Sequence, residues 1–360
     1  MKLFESSTLG DLTLKNRMVL APLTRNRASA EHIPTSIMKV YYEQRAGAGL
    51  LITEGTSPSP NGTGYARIPG IYNQDQIEGW KPVTTAVHAK GAKIFMQLMH
   101  MGRVGHPNNM PEGAEIIGPS AIGVTGEMYT DQEGFQPNPV PREMTTEDLA
   151  TTREEFVQAA KNAIEAGFDG VELHSANGYL LEQFMFPGSN QRTDEYGGSI
   201  ANRIRFVLEV VQATIQAIGA HRVGIRLSPG GAFNDVVDYP EVPDTFDLLS
   251  RELEKLGVVY IHTVDHGGMG WPALPFEVRD CIRANYRGTL IVSGGYDGVR
   301  AEKDLQASVG DLVAFGRSFL ANPDLPERIR LGAELNTDDP DTWYTPGPEG
   351  YIDYPELVTA

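Results

Sequence analysis

The sequence predicts an α/β protein built as a single (β/α)8 TIM barrel. Two observations lead there: eight short runs rich in Val, Ile and Leu, and stretches of helical periodicity lying between them. Continuous apolar runs read as parallel strands buried on both faces, and their alternation with helices reads as βαβ units. Eight such units favour closure into a barrel over a doubly wound sheet. A chain of 360 residues suits one such domain, residues 1–360, because these barrels run past ~250 residues when they carry insertions.

In order, strands are expected over residues 18–23, 49–54, 93–98, 169–174, 222–227, 258–263, 289–293 and 311–315. Helices are expected over 36–46, 76–90, 148–166, 200–218, 245–256, 275–284 and 300–307. Thr145 stands three residues before Asp148, a capping-box start with Asp in place of Glu. Gly91, Gly167, Gly219 and Gly257 fall where helices should stop. Leu9-Gly10-Asp11-Leu12 suggests an N-terminal hairpin closing the barrel floor. Residues 103–142, after the third strand, are too long for an ordinary connection and read as a lid over the barrel mouth. The tail 337–360 holds Trp343, Tyr344, Tyr351 and Tyr354, more aromatics than a disordered segment carries, so it should pack on the barrel.

A formal net charge of -17 argues against a nucleic-acid partner, which would need a surplus of Lys and Arg. Cys281 is the only cysteine, so no internal disulfide can form and no cysteine-based zinc or iron–sulfur site is expected. No His-Glu-x-x-His spacing offers another metal site, and no Gly-x-Ser-x-Gly elbow offers a hydrolytic nucleophile. The absence of a signal-like start or a run of ~18 apolar residues fits a cytoplasmic protein without a membrane anchor.

Active sites of this fold lie at the C-terminal strand ends, so the polar residues there are read first. Thr24, Gln97 and Arg226 come from different strands and offer donors and an acceptor that suit a flat heteroaromatic ring such as a flavin. Taken alone, Arg226 could equally form a buried ion pair, and Gln97 a bond to nearby backbone. Gly294-Gly295 after strand seven and Gly316-Arg317 after strand eight suit a phosphate, because glycine frees backbone N–H groups and Arg adds charge-assisted bonds. Either motif alone is more simply a tight turn; the two on adjacent strands favour the anion.

After strand four comes His174-Ser175-Ala176-Asn177-Gly178-Tyr179. If the chain turns helically there, His174 and Asn177 share a face and donate to one oxygen whose negative charge grows during hydride transfer. Gly178 permits the bend that brings Tyr179, a suitable acid, into the same pocket. Singly, such a His is more often structural and such a Tyr more often packing. The polar run Asn190 to Ser199 reads as a structural loop, and Arg103 and Arg142 as solvated lid arginines with only a remote claim on a nicotinamide phosphate.

Together these residues resemble the Old Yellow Enzyme family, FMN-containing ene reductases that include the N-ethylmaleimide and nitrate-ester reductases. The motifs are Ala21-Pro22-Leu23-Thr24-Arg25, Gln97-Leu98 with His100 and Gly102-Arg103, the segment His174 to Tyr179, Ser189 to Asp194 with Tyr196 to Ser199, and Phe315-Gly316-Arg317 followed by Asn322-Pro323-Asp324-Leu325. The resemblance implies that Pro22, Thr24, Gly55, Gln97 and Arg226 contact the isoalloxazine of FMN, and Gly294, Gly295, Gly316 and Arg317 its phosphate. It implies that His174 and Asn177 hold the substrate oxygen, that Tyr179 supplies the proton, and that Tyr351 stands at the pocket rim. Met99 replaces the Trp of many relatives and should reshape the pocket.

The implied reaction is NADPH- or NADH-driven reduction of an electron-poor alkene: an enone, enal, maleimide or nitroalkene. Hydride comes from flavin N5 and the proton from Tyr179; nitro and nitrate-ester reduction are further implied activities. Partners are then small molecules, for a monomer or homodimer. A dienoyl-CoA-type reductase would need a cysteine cluster that Cys281 alone cannot provide. A non-catalytic flavin carrier and a flavin-free barrel lyase stay open as alternatives.

Overall fold

In the computed structural model, which describes residues 1–231 and 233–358, the eight apolar runs become one closed parallel barrel. Its strands are β1 (Met18–Leu20), β2 (Leu50–Ile52), β3 (Lys93–Leu98), β4 (Gly170–Ser175), β5 (Val223–Leu227), β6 (Tyr260–Val264), β7 (Thr289–Ser293) and β8 (Leu312–Phe315). Neighbours pair in chain order and β8 closes on β1 through Ala314 and Val19. Every residue of β4, β5 and β6 is buried, which is why these strands carry unbroken apolar runs instead of alternation.

The interleaved helices are α1 (Ser36–Gln44), α2 (Gln74–Ala89), α3 (Thr146–Glu165), α4 (Leu180–Met185), α5 (Ile200–Arg203), α6 (Arg205–Ile218), α7 (Val242–Leu256), α8 (Phe276–Asn285), α9 (Gly298–Gln306), α10 (Arg317–Ala321) and α11 (Leu325–Leu331). The capping box at Thr145 and Asp148 forms in both directions, and Gly257 ends α7 in the left-handed region at φ 72°. The helix expected over 200–218 is interrupted at Ile204, whose N–H reaches the carbonyls of both Asn202 and Ile200. Among the described residues no helix is long and apolar enough to cross a membrane.

The hairpin Ser7–Leu9 with Leu12–Leu14 packs Leu9 and Leu14 against Val19, Leu50 and Phe95, closing the barrel floor. At the other end, the segment after β3 folds into its own hairpin, Glu127–Thr130 with Gly134–Pro137. Its Val124 and Met128 join Ile68, Met99, Met101 and Val104 in an apolar cluster against Tyr65 and Tyr179, so the insertion roofs the mouth. The tail is bolted to the loop after β1. Arg25 donates to the carbonyls of Trp343 (3.0 Å) and Gly350 (2.7 Å), and Arg27 donates to those of Thr342 (2.8 Å) and Trp343 (2.8 Å).

Candidate active site

β4 and β5 are in register so that His174 stands beside Arg226 at the mouth. Beyond Ser175 the chain does not turn helically, as the reading of a shared His174–Asn177 helix face required. Asn177 (φ 57°) and Gly178 (φ 76°) are both left-handed, and Tyr179 N–H closes on Ala176 O at 3.3 Å. Asn-Gly is the pair that tolerates such a turn. The reversal returns Tyr179 to β4, where its ring meets the His174 ring edge-on at 5.0 Å between centroids.

His174 is 3% exposed and its Nδ1 has no partner among the described residues. Burial, with Arg226 and His262 nearby, holds its pKa well below the ordinary histidine range, so the imidazole is neutral. Asn177 reaches the pocket by a different support: His266 Nε2 donates to its Oδ1 at 3.0 Å, leaving the Nδ2 donor without a protein partner among the described residues. Tyr179 shares a hydrogen bond with Tyr65 at 2.9 Å, and burial pushes its phenol pKa up.

The ring-binding candidates sit on a buried polar network inside the barrel. Gln97 Nε2 donates to Glu172 Oε1 at 2.8 Å, and Glu172 Oε2 lies 2.8 Å from His262 Nδ1. Burial opposes the charge of Glu172, but His262, Arg226 and Gln97 outweigh it and hold the carboxyl below its ordinary value. Gln97 therefore bonds a side chain, not backbone, and its Oε1 has no donor among the described residues. Arg226, 8% exposed, has no carboxylate within 4.0 Å among the described residues, so the buried ion pair does not form. Its Nε is buried without a partner, a costly state that a ligand oxygen or nitrogen would relieve. Thr24 is half-buried with a hydroxyl that has no partner among the described residues, and Pro22 is buried.

Gly55 faces the side chain of Met99, into which a Cβ would run, so this glycine also makes room for Met99. On the phosphate side, Gly294 (φ 116°) presses against the carbonyl of Asp265, and Gly295 (φ 63°) against Gly268, where a Cβ would lie 2.9 Å from its Cα. The N–H groups of Gly294, Gly295 and Gly316 find no protein acceptor among the described residues. Arg317 is exposed, with its guanidinium 4.8 Å from the Trp343 ring centre and no carboxylate partner among the described residues. Free N–H groups, an unpaired buried Arg and an exposed Arg are what an anionic flavin nucleotide would need.

One expectation of position is not met. Tyr351 is fully buried, not at the rim: its ring stacks on Tyr41 at 4.3 Å under the guanidinium of Arg27. The tail tyrosine whose charge reaches Tyr179 and Tyr65 is Tyr344, which is 56% exposed. Arg103 and Arg142 are also committed elsewhere, Arg103 to the carbonyl of Asn234 at 3.0 Å and Arg142 to Glu115 and Asp148. The loop from Asn190 serves structure: Arg192 donates to the carbonyls of Pro119 and Met144, and Asn190 to those of Phe184 and Tyr196. Sequence reading missed Tyr65, Glu172, His262, His266, Glu182 and Ser228. The only available signal was charge inside apolar strands, as in Glu172 and His262. No cluster of metal-ligating side chains exists among the described residues.

Residues 2–336 match the model of the NADH:flavin oxidoreductase / NADH oxidase family. The chain is 45% identical to 12-oxophytodienoate reductase 1 of Oryza sativa subsp. japonica, over 97% of its own length and 91% of that protein. It is 44% identical to a probable flavin mononucleotide-dependent alkene reductase of Leishmania infantum, covering 96% and 95%. Among solved structures, morphinone reductase in complex with tetrahydroNAD aligns with a TM-score of 0.93 at 44% identity, covering 99% of this chain and 98% of that one. The Old Yellow Enzyme homologue from Zymomonas mobilis aligns with a TM-score of 0.94 at 39% identity, covering 99% and 100%.

Proposed function

The chain belongs to the Old Yellow Enzyme family of NADH:flavin oxidoreductases, and from that premise we propose that it binds FMN and uses NADPH or NADH to reduce electron-poor alkenes. The observation that carries the reading is the meeting of neutral His174, Asn177 oriented by His266, and protonated Tyr179 beside the unpaired Arg226. A relative named as an alkene reductase, and another solved with tetrahydroNAD, support it.

When bound, FMN would supply the redox chemistry of the site, a hydride path from a reduced nicotinamide to an electron-poor alkene. Arg226, Gln97 Oε1 and Thr24 would hold its ring, with Pro22 and Gly55 alongside; Gly294, Gly295, Gly316 and Arg317 would hold its phosphate. His174 and Asn177 Nδ2 donate to the carbonyl or nitro oxygen of an enone, enal, maleimide or nitroalkene and stabilise the negative charge that builds there. Tyr179, kept protonated by burial, gives its proton to the α-carbon. Met99 and the apolar roof exclude water around that carbon. The same two donors suit nitro and nitrate-ester oxygens.

The test is NADPH oxidation by the purified protein with and without 2-cyclohexen-1-one. Enone-dependent oxidation with formation of cyclohexanone supports the reading. Oxidation that ignores the enone would leave a flavin carrier instead.

A further inference from the structure

The turn at Asn177 and Gly178 leaves two N–H groups that its own closing bond cannot satisfy, and buried N–H groups must find acceptors. Gly178 N–H donates to Glu182 Oε2 at 2.6 Å. Asn177 N–H donates to Ser228 Oγ at 2.8 Å, and Ser228 in turn donates to Glu182 Oε1 at 2.8 Å. Both routes end on one carboxyl, 4% exposed, in the first turn of α4. The outer side of the turn is covered by the 233–236 segment, where Asn234 Nδ2 donates to Asn177 O at 2.7 Å.

We propose that Glu182 is a positioning residue of the substrate site: directly at Gly178, and through Ser228 at Asn177, it fixes the turn on which the clamp amide and the proton donor are mounted. This rests on the proposed function, since it assumes that Asn177 and Tyr179 meet the substrate. Accepting on both oxygens is the bonding of a carboxylate. In the neutral acid one oxygen carries a proton and donates to Ser228 Oγ, which still accepts from Asn177 N–H, so the bonds that tie the turn to Glu182 lose the strengthening of the carboxylate charge.

Burial raises the Glu182 carboxyl to about 7, against the two donors that favour its charge. The exchange between the two bonding patterns thus falls in the neutral range. Among the described residues no cationic side chain lies within 4.0 Å of the carboxyl, whose shift comes from burial set against the Gly178 N–H and the Ser228 hydroxyl. The titratable group on which its charge acts is the Tyr239 phenol before α7, with Arg203 of α5 and Glu241 beyond it. Arg203 is itself bound to the carbonyls of Met185 and Gly198 and lies 4.0 Å from Glu241.

The experiment compares wild type, Glu182→Gln and Ser228→Ala as FMN holoenzymes. In wild type, kcat/KM for 2-cyclohexen-1-one should rise through about pH 7 as the carboxylate forms. Glu182→Gln should abolish that limb and lower kcat/KM roughly ten- to a hundredfold, mainly through KM, with FMN content unchanged. Ser228→Ala removes one of the two donors to the carboxylate and should shrink the limb, with a smaller loss of kcat/KM than Glu182→Gln. Amide exchange at Asn177 and Gly178 should speed up in Glu182→Gln, and at Asn177 in Ser228→Ala. An unchanged pH limb in Glu182→Gln, or unchanged exchange in both variants, would overturn the assignment. Exchange needs no substrate, so it decides the role of Glu182 even if wild type shows no enone turnover, an outcome that would remove the proposed function instead.

Discussion

The phenol oxygens of Tyr65 and Tyr179 lie 2.9 Å apart, with their rings perpendicular, under the apolar roof of the mouth. Burial raises the pKa of Tyr179, and the bond from Tyr65 works against that rise. Tyr65→Phe should therefore make Tyr179 a weaker acid and slow reoxidation by an enone about tenfold. Tyr179→Phe should slow it by about two to four orders of magnitude while reduction by NADPH stays near normal. Stopped-flow measurement of the two half-reactions separates them; a Tyr179→Phe protein that reduces enones at the normal rate would remove the acid assignment.

Arg226 is a buried cation with no carboxylate within 4.0 Å among the described residues, Glu172 acting on it from farther off. Replacing it with Leu should change the melting temperature of the apoprotein little, because relief of the buried guanidinium offsets the loss of its attraction to Glu172. The same change should weaken FMN binding roughly a hundredfold. Thermal melts with and without added FMN report both effects. A large loss of apoprotein stability would mean that Arg226 serves the barrel and not the ligand.

His266 directs the amide of Asn177 by donating to Oδ1. Burial lowers its own pKa to about 4, so this donor role is that of a neutral ring across the working pH range. His266→Phe should free the amide to rotate and raise KM for enones about tenfold with a smaller change in kcat. Steady-state kinetics with 2-cyclohexen-1-one check the split.

Glu54 is buried next to the Arg25 loop, and burial raises its carboxyl from 4.5 to about 7. The folded state thus prefers its proton. That contribution to stability is complete below about pH 4.5 and is lost as pH rises through about 7, a swing on the order of 3 kcal/mol. Glu182 carries the same sign. Glu54→Gln cannot ionise, so its melting temperature should exceed that of wild type at about pH 8.5 but not at about pH 5. Melting curves at the two pH values decide it.

The barrel was legible because each of its strands is buried on both faces and therefore spelled as an apolar run. The short helices Leu180–Met185, Arg317–Ala321 and Leu325–Leu331 were not, since one or two turns leave too little periodicity to read. His174, Asn177 and Tyr179 could be named from their place after the fourth strand, but the turn could not. A helical route and a left-handed one both bring Tyr179 back, and only Asn177 at φ 57° tells them apart. Tyr344 and Tyr351 lie in one aromatic tail, and what separates them is packing: one is exposed beside Tyr179, the other stacked on Tyr41. The partners that orient the site, Glu172 for Gln97 and His266 for Asn177, lie 75 and 89 residues away along the chain, so no local spacing announces them.

The most direct test of an FMN-dependent alkene reductase is the visible absorbance of the purified protein, followed anaerobically through addition of NADPH and then 2-cyclohexen-1-one. The account predicts a yellow protein that bleaches with NADPH and regains its colour with the enone, at a rate that collapses in Tyr179→Phe. A colourless protein that takes up no FMN, or a bleached one that the enone leaves bleached, would contradict it.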